Sequence, residues 1–369
     1  MARSVPIANG CGLTMVAENI KYREALFETM ESALAQSDDT LIIGQGVDDH
    51  KGIFGTTLGL AEKYGVNRVM DTPLAEEAIT GISVGASLNG MYPIMTHIRA
   101  DFMLLATNQI INLVAKYRYM FGGLFKVPML IRAVVGRSWG QGAQHTQSLQ
   151  SLFAHIPGLT IIMPSDSFAV LSAYPHVISN LSAPVISFEH RLLYELDFKV
   201  DRHQITAVVK PLASRLKRIG KDVTVVATSI MVLEAERAAD YLAAVGIECE
   251  VIDLNCVSKP DTGMILDSVS KTGRLLIADT SWQAYGVSAE ICRIICEGAP
   301  SALLMPVVTL GMAPAPCPTA KTLEDMYYPD LYDLCDAICK LVTDSDEHGI
   351  QLPEKKSMVD TYKHFRGPF

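Results

Sequence analysis

Residues 68–97 read RVMDTPLAEEAITGISVGASLNGMYPIMTH, and the reading of this stretch decides the fold. A short apolar run, Arg68 to Met70, predicts a strand. Pro73 and two adjacent carboxylates, Glu76 and Glu77, then open a small-residue-rich helix expected over Glu76 to Leu88, and a second apolar run, Pro93 to His97, predicts the next strand. Strand, helix and strand joined this closely are the unit from which parallel sheets are built. Working outward, the alternation continues in both directions. Tyr22 to Ala35 is helical by period and Leu41 to Ile43 is a strand. Leu104 to Met120 carries Ile110, Ile111, Val114 and Tyr117 at helical spacing, and strands follow at Met129 to Val135, Thr160 to Met163 and Val185 to Glu189. Near-continuous apolar strands predict a sheet covered on both faces.

From about residue 196 to 221 the pattern loosens into a charged stretch read as a linker, and the alternation then restarts. Strands are expected at Val223 to Ala227, Cys249 to Leu254, Leu275 to Ala278 and Ala302 to Val308. Helices are expected at Val232 to Ala244, Thr262 to Ser270, Ser288 to Glu297 and Leu331 to Val342. The fold class is therefore α/β, with two doubly wound, mostly parallel-sheet domains at residues 17–195 and 222–342. A polar extension, 343–369, follows.

The composition agrees and narrows the function. The 369 residues are 49% apolar and 19% charged, which excludes a disordered chain or a coiled coil. A net charge of −9 argues against nucleic acid or an anionic membrane as partner. The longest uncharged run, Ala78 to Ile98, holds Gly81, Gly85, Asn89, Gly90, Pro93 and His97, which break a lipid-facing helix. The eight cysteines form no C-x-x-C pair and read as reduced core thiols. No apolar secretory segment opens the chain, so the expected location is cytoplasmic.

Ligands of parallel sheets gather at the carboxyl ends of strands, and three loops there are unusual. One is the opening of the Glu76 helix, where a first-turn acid is ordinarily a complement to the helix dipole. Another is GRSWGQGAQHTQS, residues 136–148, a Gly-rich loop whose His145 suits proton exchange near neutral pH. That loop fits neither glycine fingerprint of nucleotide binding. The third is THIRADFMLL, residues 96–105, with His97, Arg99, Asp101 and Phe102 between strand and helix.

Taken in order, DTPLAEEAITGISVGASLNGMYPI, NQIINLVAKYRYMFGG and RSWGQGAQHTQSLQSLFAHIPGLTIIMPSD resemble the β subunit of the two-subunit thiamine-diphosphate 2-oxoacid dehydrogenases, such as the pyruvate, branched-chain and acetoin enzymes. GIECEVIDLNCVSKPD, SWQAYGVSAEIC and PAPCPTAKTLED are similar to the same family's carboxyl-terminal domain, so the likeness runs from about residue 17 to 342. It implies a transketolase-like pyrimidine-binding domain followed by a transketolase carboxyl-terminal-like assembly domain.

The resemblance implies roles residue by residue. Glu76 matches the glutamate that exchanges a proton with the ring nitrogen of the cofactor's aminopyrimidine. Phe102 matches the aromatic packed against that ring, with Ile98 in the same wall, and His145 matches the histidine at the substrate end. No G-D-G segment occurs anywhere in the chain. The resemblance thus implies an α subunit that holds the diphosphate and Mg2+, with no metal ligands here, in an α2β2 heterotetramer with a β–β contact. A lipoyl acyltransferase is a further partner of some members. The implied reaction is decarboxylation of a 2-oxoacid with acyl transfer to lipoamide. A split transketolase-like or acyloin-forming enzyme, or a non-catalytic assembly subunit, are the alternatives. Two departures stand out: the family's G-E-[DE]-V after the first strand is Gly44, Gln45, Gly46, Val47 here, and its V-E-G-G-W-like segment is ADTSW at 278–282. The first departure puts proton communication between paired sites in doubt.

Overall fold

The helix Glu76–Leu88 lies where the sequence places it, between two strands of a six-stranded sheet. The computed structural model describes residues 17–136 and 140–362. Thirteen strands form: β1 Glu18–Lys21, β2 Thr40–Gly44, β3 Val69–Asp71, β4 Tyr92–His97, β5 Leu130–Val135, β6 Thr160–Ile162, β7 Val185–His190, β8 Asp197–Val200, β9 Arg215–Arg218, β10 Val223–Ala227, β11 Cys249–Asp253, β12 Leu275–Trp282 and β13 Val308–Met312. The first sheet runs β3-β2-β4-β5-β7-β6 and is parallel throughout. Its β2, β5 and β7 are buried along their whole length. One face is covered by the helices Tyr22–Gln36 and Ser167–Asn180, the other by Met103, Ile110 and Val114.

The second sheet runs β13-β12-β10-β11-β9, with only β9 antiparallel. The charged stretch 196–221 is thus structured: β8 pairs with β1 and β9 edges the second sheet. The helices Ile230–Ala243 and Leu331–Thr343 pack together on one face. Beyond them the chain folds back, as Tyr241 donates to the Gln351 carbonyl, Lys355 pairs with Asp333, and the Tyr362 hydroxyl reaches Glu234.

Two expectations need correction. The last strand begins at Val308, where the predicted run Ala302–Val308 ends. Pro306 lies inside that run, and the Leu304 N–H bonds instead to the Gly273 carbonyl (2.7 Å) at the end of the helix Thr262–Thr272. The long helix over Leu104–Met120 is broken into a 3₁₀ turn (Leu104–Ala106), a π-helical turn (Gln109–Val114) and a short α-helix (Tyr117–Met120). The carbonyl of Ala115 there meets the Gly158 backbone so closely that a Cβ on Gly158 would lie 2.1 Å from it.

Charged side chains join the domains. Asp166, N-cap of the helix Ser167–Asn180, binds Arg215 (2.8 Å) and Lys217 (2.9 Å), and Arg215 also binds Asp253 (2.6 Å). Burial alone would raise the Asp166 carboxyl, but Arg215 and Lys217 outweigh it and hold it below the usual carboxylate range. Cysteines 249, 256, 317, 335 and 339 are buried and Cys292 is half-buried, whereas Cys296 is exposed. Desolvation pushes Cys249 and Cys335 up to about 12, so both stay neutral.

Candidate active site at the carboxyl ends of β2 and β4

The chain leaves β2 for β3 on one side and returns to β4 on the other, which makes the gap between β2 and β4 a topological switch point. A tight crevice, too narrow to take a water-sized sphere, lies there, lined by Gly44, Gln45, Thr72, Glu76, Ile79, Met95, Thr96 and His97. Its floor is backbone against backbone: a Cβ on Gly44, at φ +155°, would sit 2.3 Å from the Thr96 carbonyl oxygen.

Glu76 and Glu77 part at the first turn of their helix. Glu77 points outward and accepts from Gln109 Nε2 (3.1 Å). Glu76 turns inward and is only 7% exposed. The helix lies close on the sheet through a small polar face, on which Thr80 Oγ1 donates to the Glu76 carbonyl (2.7 Å) and Ser83 to that of Ile79 (2.9 Å). A buried carboxylate at a helix N-terminus gains from the dipole there, and Gln45 Nε2 donates to its Oε1 at 2.8 Å. Its Oε2 accepts no hydrogen bond from any described residue.

Across the crevice, Thr96 Oγ1 and His97 Nε2 are buried without a hydrogen-bond partner. Burial lowers His97 to about 4, although the neighbouring Glu76 pulls the other way, so the imidazole is neutral near neutral pH. Unmet polar atoms in a native interior call for a ligand or water.

Ile98 and Phe102 continue from β4, both half-buried, and the Phe102 ring meets that of His145 edge-on, with centroids 5.2 Å apart at 84°. Phe102 and His145 are therefore in contact, and Ile98 follows the crevice residue His97 in the chain. The histidine loop is clamped from several directions. Asp101 accepts from Gln147 N (3.2 Å) and Nε2 (2.9 Å). Gly140 and Gly142, both at φ +69°, press on Thr319, each leaving 2.6 Å for a Cβ. Ser148 bonds Thr280 (3.0 Å) and Gln150 Nε2 donates to Asp279 (2.9 Å), both in β12. Arg137, Ser138 and Trp139 of the same loop lie outside the described residues.

Comparison with known proteins assigns this architecture. Residues 18–196 match the family Transketolase, pyrimidine binding domain, and residues 213–333 match Transketolase, C-terminal domain. The Bos taurus protein "Pyruvate dehydrogenase E1 component subunit beta, mitochondrial" is 36% identical over 327 residues, 88% of this chain and 91% of its own. "Acetoin:2,6-dichlorophenolindophenol oxidoreductase subunit beta" of Cupriavidus necator is 35% identical over 336 residues, 88% and 98% of the two chains. The chain belongs to the thiamine-diphosphate 2-oxoacid dehydrogenase β-subunit family. A solved structure described as "Split gene transketolase, inactive beta4 tetramer" shares the fold at a TM-score of 0.72 and 21% identity, covering 88% of this chain and 98% of that one.

The pyrimidine-binding domain of this family implies binding of thiamine diphosphate. Among the described residues, no three His, Cys, Asp or Glu side chains converge as a metal site, and no helix is long and apolar enough to cross a membrane. Relatives include mitochondrial and bacterial proteins. Reasoning from sequence missed Gln150 and Asp279, because nothing local signals a pairing across 129 positions.

Proposed function

We propose that this chain supplies the aminopyrimidine-binding half of a split thiamine-diphosphate site, in an enzyme that decarboxylates a 2-oxoacid and passes the acyl group to lipoamide. The observation that carries this reading is the buried Glu76, which lines the crevice with Oε1 occupied by Gln45 and Oε2 accepting from no described residue. When bound, the cofactor supplies a thiazolium that stabilises the carbanion left by decarboxylation. Glu76 holds and releases a proton at Oε2, Phe102 and Ile98 wall the ring, and His145 serves the substrate end of the site.

The other half, including Mg2+, belongs to an α subunit in an α2β2 assembly with a β–β contact, and a lipoyl acyltransferase is a further partner. Two features support this. The chain has no G-D-G segment. Large apolar side chains are exposed beside the crevice helix, among them Ile82 (58%), Leu105 (62%), Tyr119 (89%) and Leu124 (79%), which suits burial against a partner.

In the pair reconstituted with its α subunit, Glu76→Ala should lose about 100-fold or more of turnover while size-exclusion chromatography shows unchanged assembly. Normal turnover in that variant would sink the reading. The isolated chain, given thiamine diphosphate and Mg2+, should be inactive, and appreciable turnover would contradict a split site. The acetoin relative is as similar as the pyruvate relatives, so an acyloin-linked reaction is the second reading. Acylation of a lipoyl domain by a 2-oxoacid favours the first reading, and dye reduction with acetoin or carboligation without that transfer favours the second.

A further inference from the structure

Gln45 stands between two glycines at the end of β2, and both sides of its turn are fastened. On one side is the close backbone contact of Gly44 with Thr96. On the other, the Gly46 N–H donates to Asp71 Oδ1 (2.7 Å) and the Gly46 carbonyl accepts from the Ile53 N–H (3.1 Å). From this fixed base the side-chain amide reaches Glu76 Oε1 at 2.8 Å. An amide N–H only donates, so Oε1 is engaged as an acceptor and a proton arriving at the carboxyl group is left with Oε2.

We propose that Gln45 is the positioning residue of Glu76: it pins Oε1 and confines the exchangeable proton to Oε2. The inference rests on Glu76 being the cofactor-facing carboxylate. Glu76 then holds or releases one proton at one atom. On release the Oε2–H bond breaks and the carboxylate keeps the electron pair; on uptake the same bond re-forms.

The charged and titratable neighbours leave this task to a neutral amide. His97 of β4 faces Glu76 as a neutral imidazole. Asp71, at the end of β3, is occupied by the N–H groups of Gly46 and Thr72. Glu77 turns away to Gln109. A second carboxylate at position 45 would instead share a proton with Glu76, because two like charges in contact do not both ionise readily.

The test is direct titration of Glu76 in the full-length chain, with 13C in the glutamate carboxyl groups and the Glu76 signal assigned by its loss in Glu76→Gln. Removing the donor in Gln45→Leu, or placing a carboxyl there in Gln45→Glu, should each raise the Glu76 midpoint by about 1 to 2 pH units. Gln45→Glu nearly preserves shape and keeps the test available if Gln45→Leu fails to fold. Midpoints unchanged from the parent chain overturn the inference. Turnover retained by Glu76→Gln in the reconstituted pair would instead overturn the functional reading, so the two failures are distinguishable.

Discussion

The two sheets share a four-strand parallel core, β3-β2-β4-β5 in one and β11-β10-β12-β13 in the other, and treat its switch point in opposite ways. In the first, β2 and β4 flank the switch point, the last paired residues are Gly44 and Thr96, and Gln45 and His97 come next. In the second, β10 and β12 flank it, the last paired residues are Ala227 and Ala278, and Thr228 and Asp279 come next. The second switch point is filled. Asp279 accepts from Thr228 Oγ1 (2.5 Å), Ser281 Oγ (2.6 Å), the Thr280 N–H (2.8 Å) and Gln150 Nε2 of the first domain (2.9 Å). The first switch point keeps unmet polar atoms on Thr96 and His97. One switch point keeps buried polar atoms without partners, and the other is a socket that holds the histidine loop.

The contrast can be broken from its filled side first. Asp279→Ala removes four hydrogen bonds and leaves buried donors unpaired, so urea denaturation should show a loss of about 3 to 4 kcal/mol, with reduced turnover in the reconstituted pair as the His145 loop loosens. A loss under about 0.5 kcal/mol would mean that the socket is only filler.

The open side predicts a pH effect of the next size. His97 is neutral in the folded chain down to about 4, whereas in the unfolded chain it takes up a proton near 6.5. Below 6.5 the unfolded state binds more protons, so this contribution is whole above that pH and is lost as pH falls toward 4. At about 1.4 kcal/mol per pH unit it amounts to about 3 kcal/mol. Stability measured from pH 7 to 4 should fall less steeply in His97→Phe, and an unchanged slope would refute the assignment.

Gln150→Leu removes the inter-domain donor to Asp279, together with its longer bond to Thr280 (3.3 Å) and the oxygen that accepts from Ser148 Oγ (2.8 Å), and leaves Asp279 its other three, so about 2 kcal/mol is expected by the same urea measurement. If this variant lost as much as Asp279→Ala, the four bonds would not act separately. As a surface control, Arg293→Ala breaks the pairs with Glu290 and Glu297 on the helix Val287–Gly298. Its thermal midpoint should stay within experimental error of the parent chain's, because exposed ion pairs contribute little to stability.

Much of the first region was legible in sequence because its signals are local. Pro73, the paired acids and the small residues after them predict the helix Glu76–Leu88 with its observed bounds, and two consecutive helical positions cannot face the same way, so one acid had to turn inward. Gln45 was visible as a departure in its motif, but its hydrogen bond to Glu76 spans 31 positions and emerges only when β2 and the helix are placed side by side. The second region was least legible. ADTSW looked like drift, and Asp279 within it gains meaning only from Gln150 in the other domain. The misplaced last strand has a similar cause: the apolar run Ala302–Val308 has strand composition, yet Leu304 is spent on Gly273 before pairing starts at Val308.

Gly44 carries a consequence for how this site can change over generations. Because the crevice floor is one main chain resting on another, with 2.3 Å between a hypothetical Cβ and the Thr96 oxygen, no side chain can deepen, fill or recharge it. Variation is confined to the walls at positions 45, 72, 79 and 97. Divergence among such chains in what they accept should therefore accumulate as wall exchanges, of which Gln45 is one, around a slot whose depth is inherited unchanged.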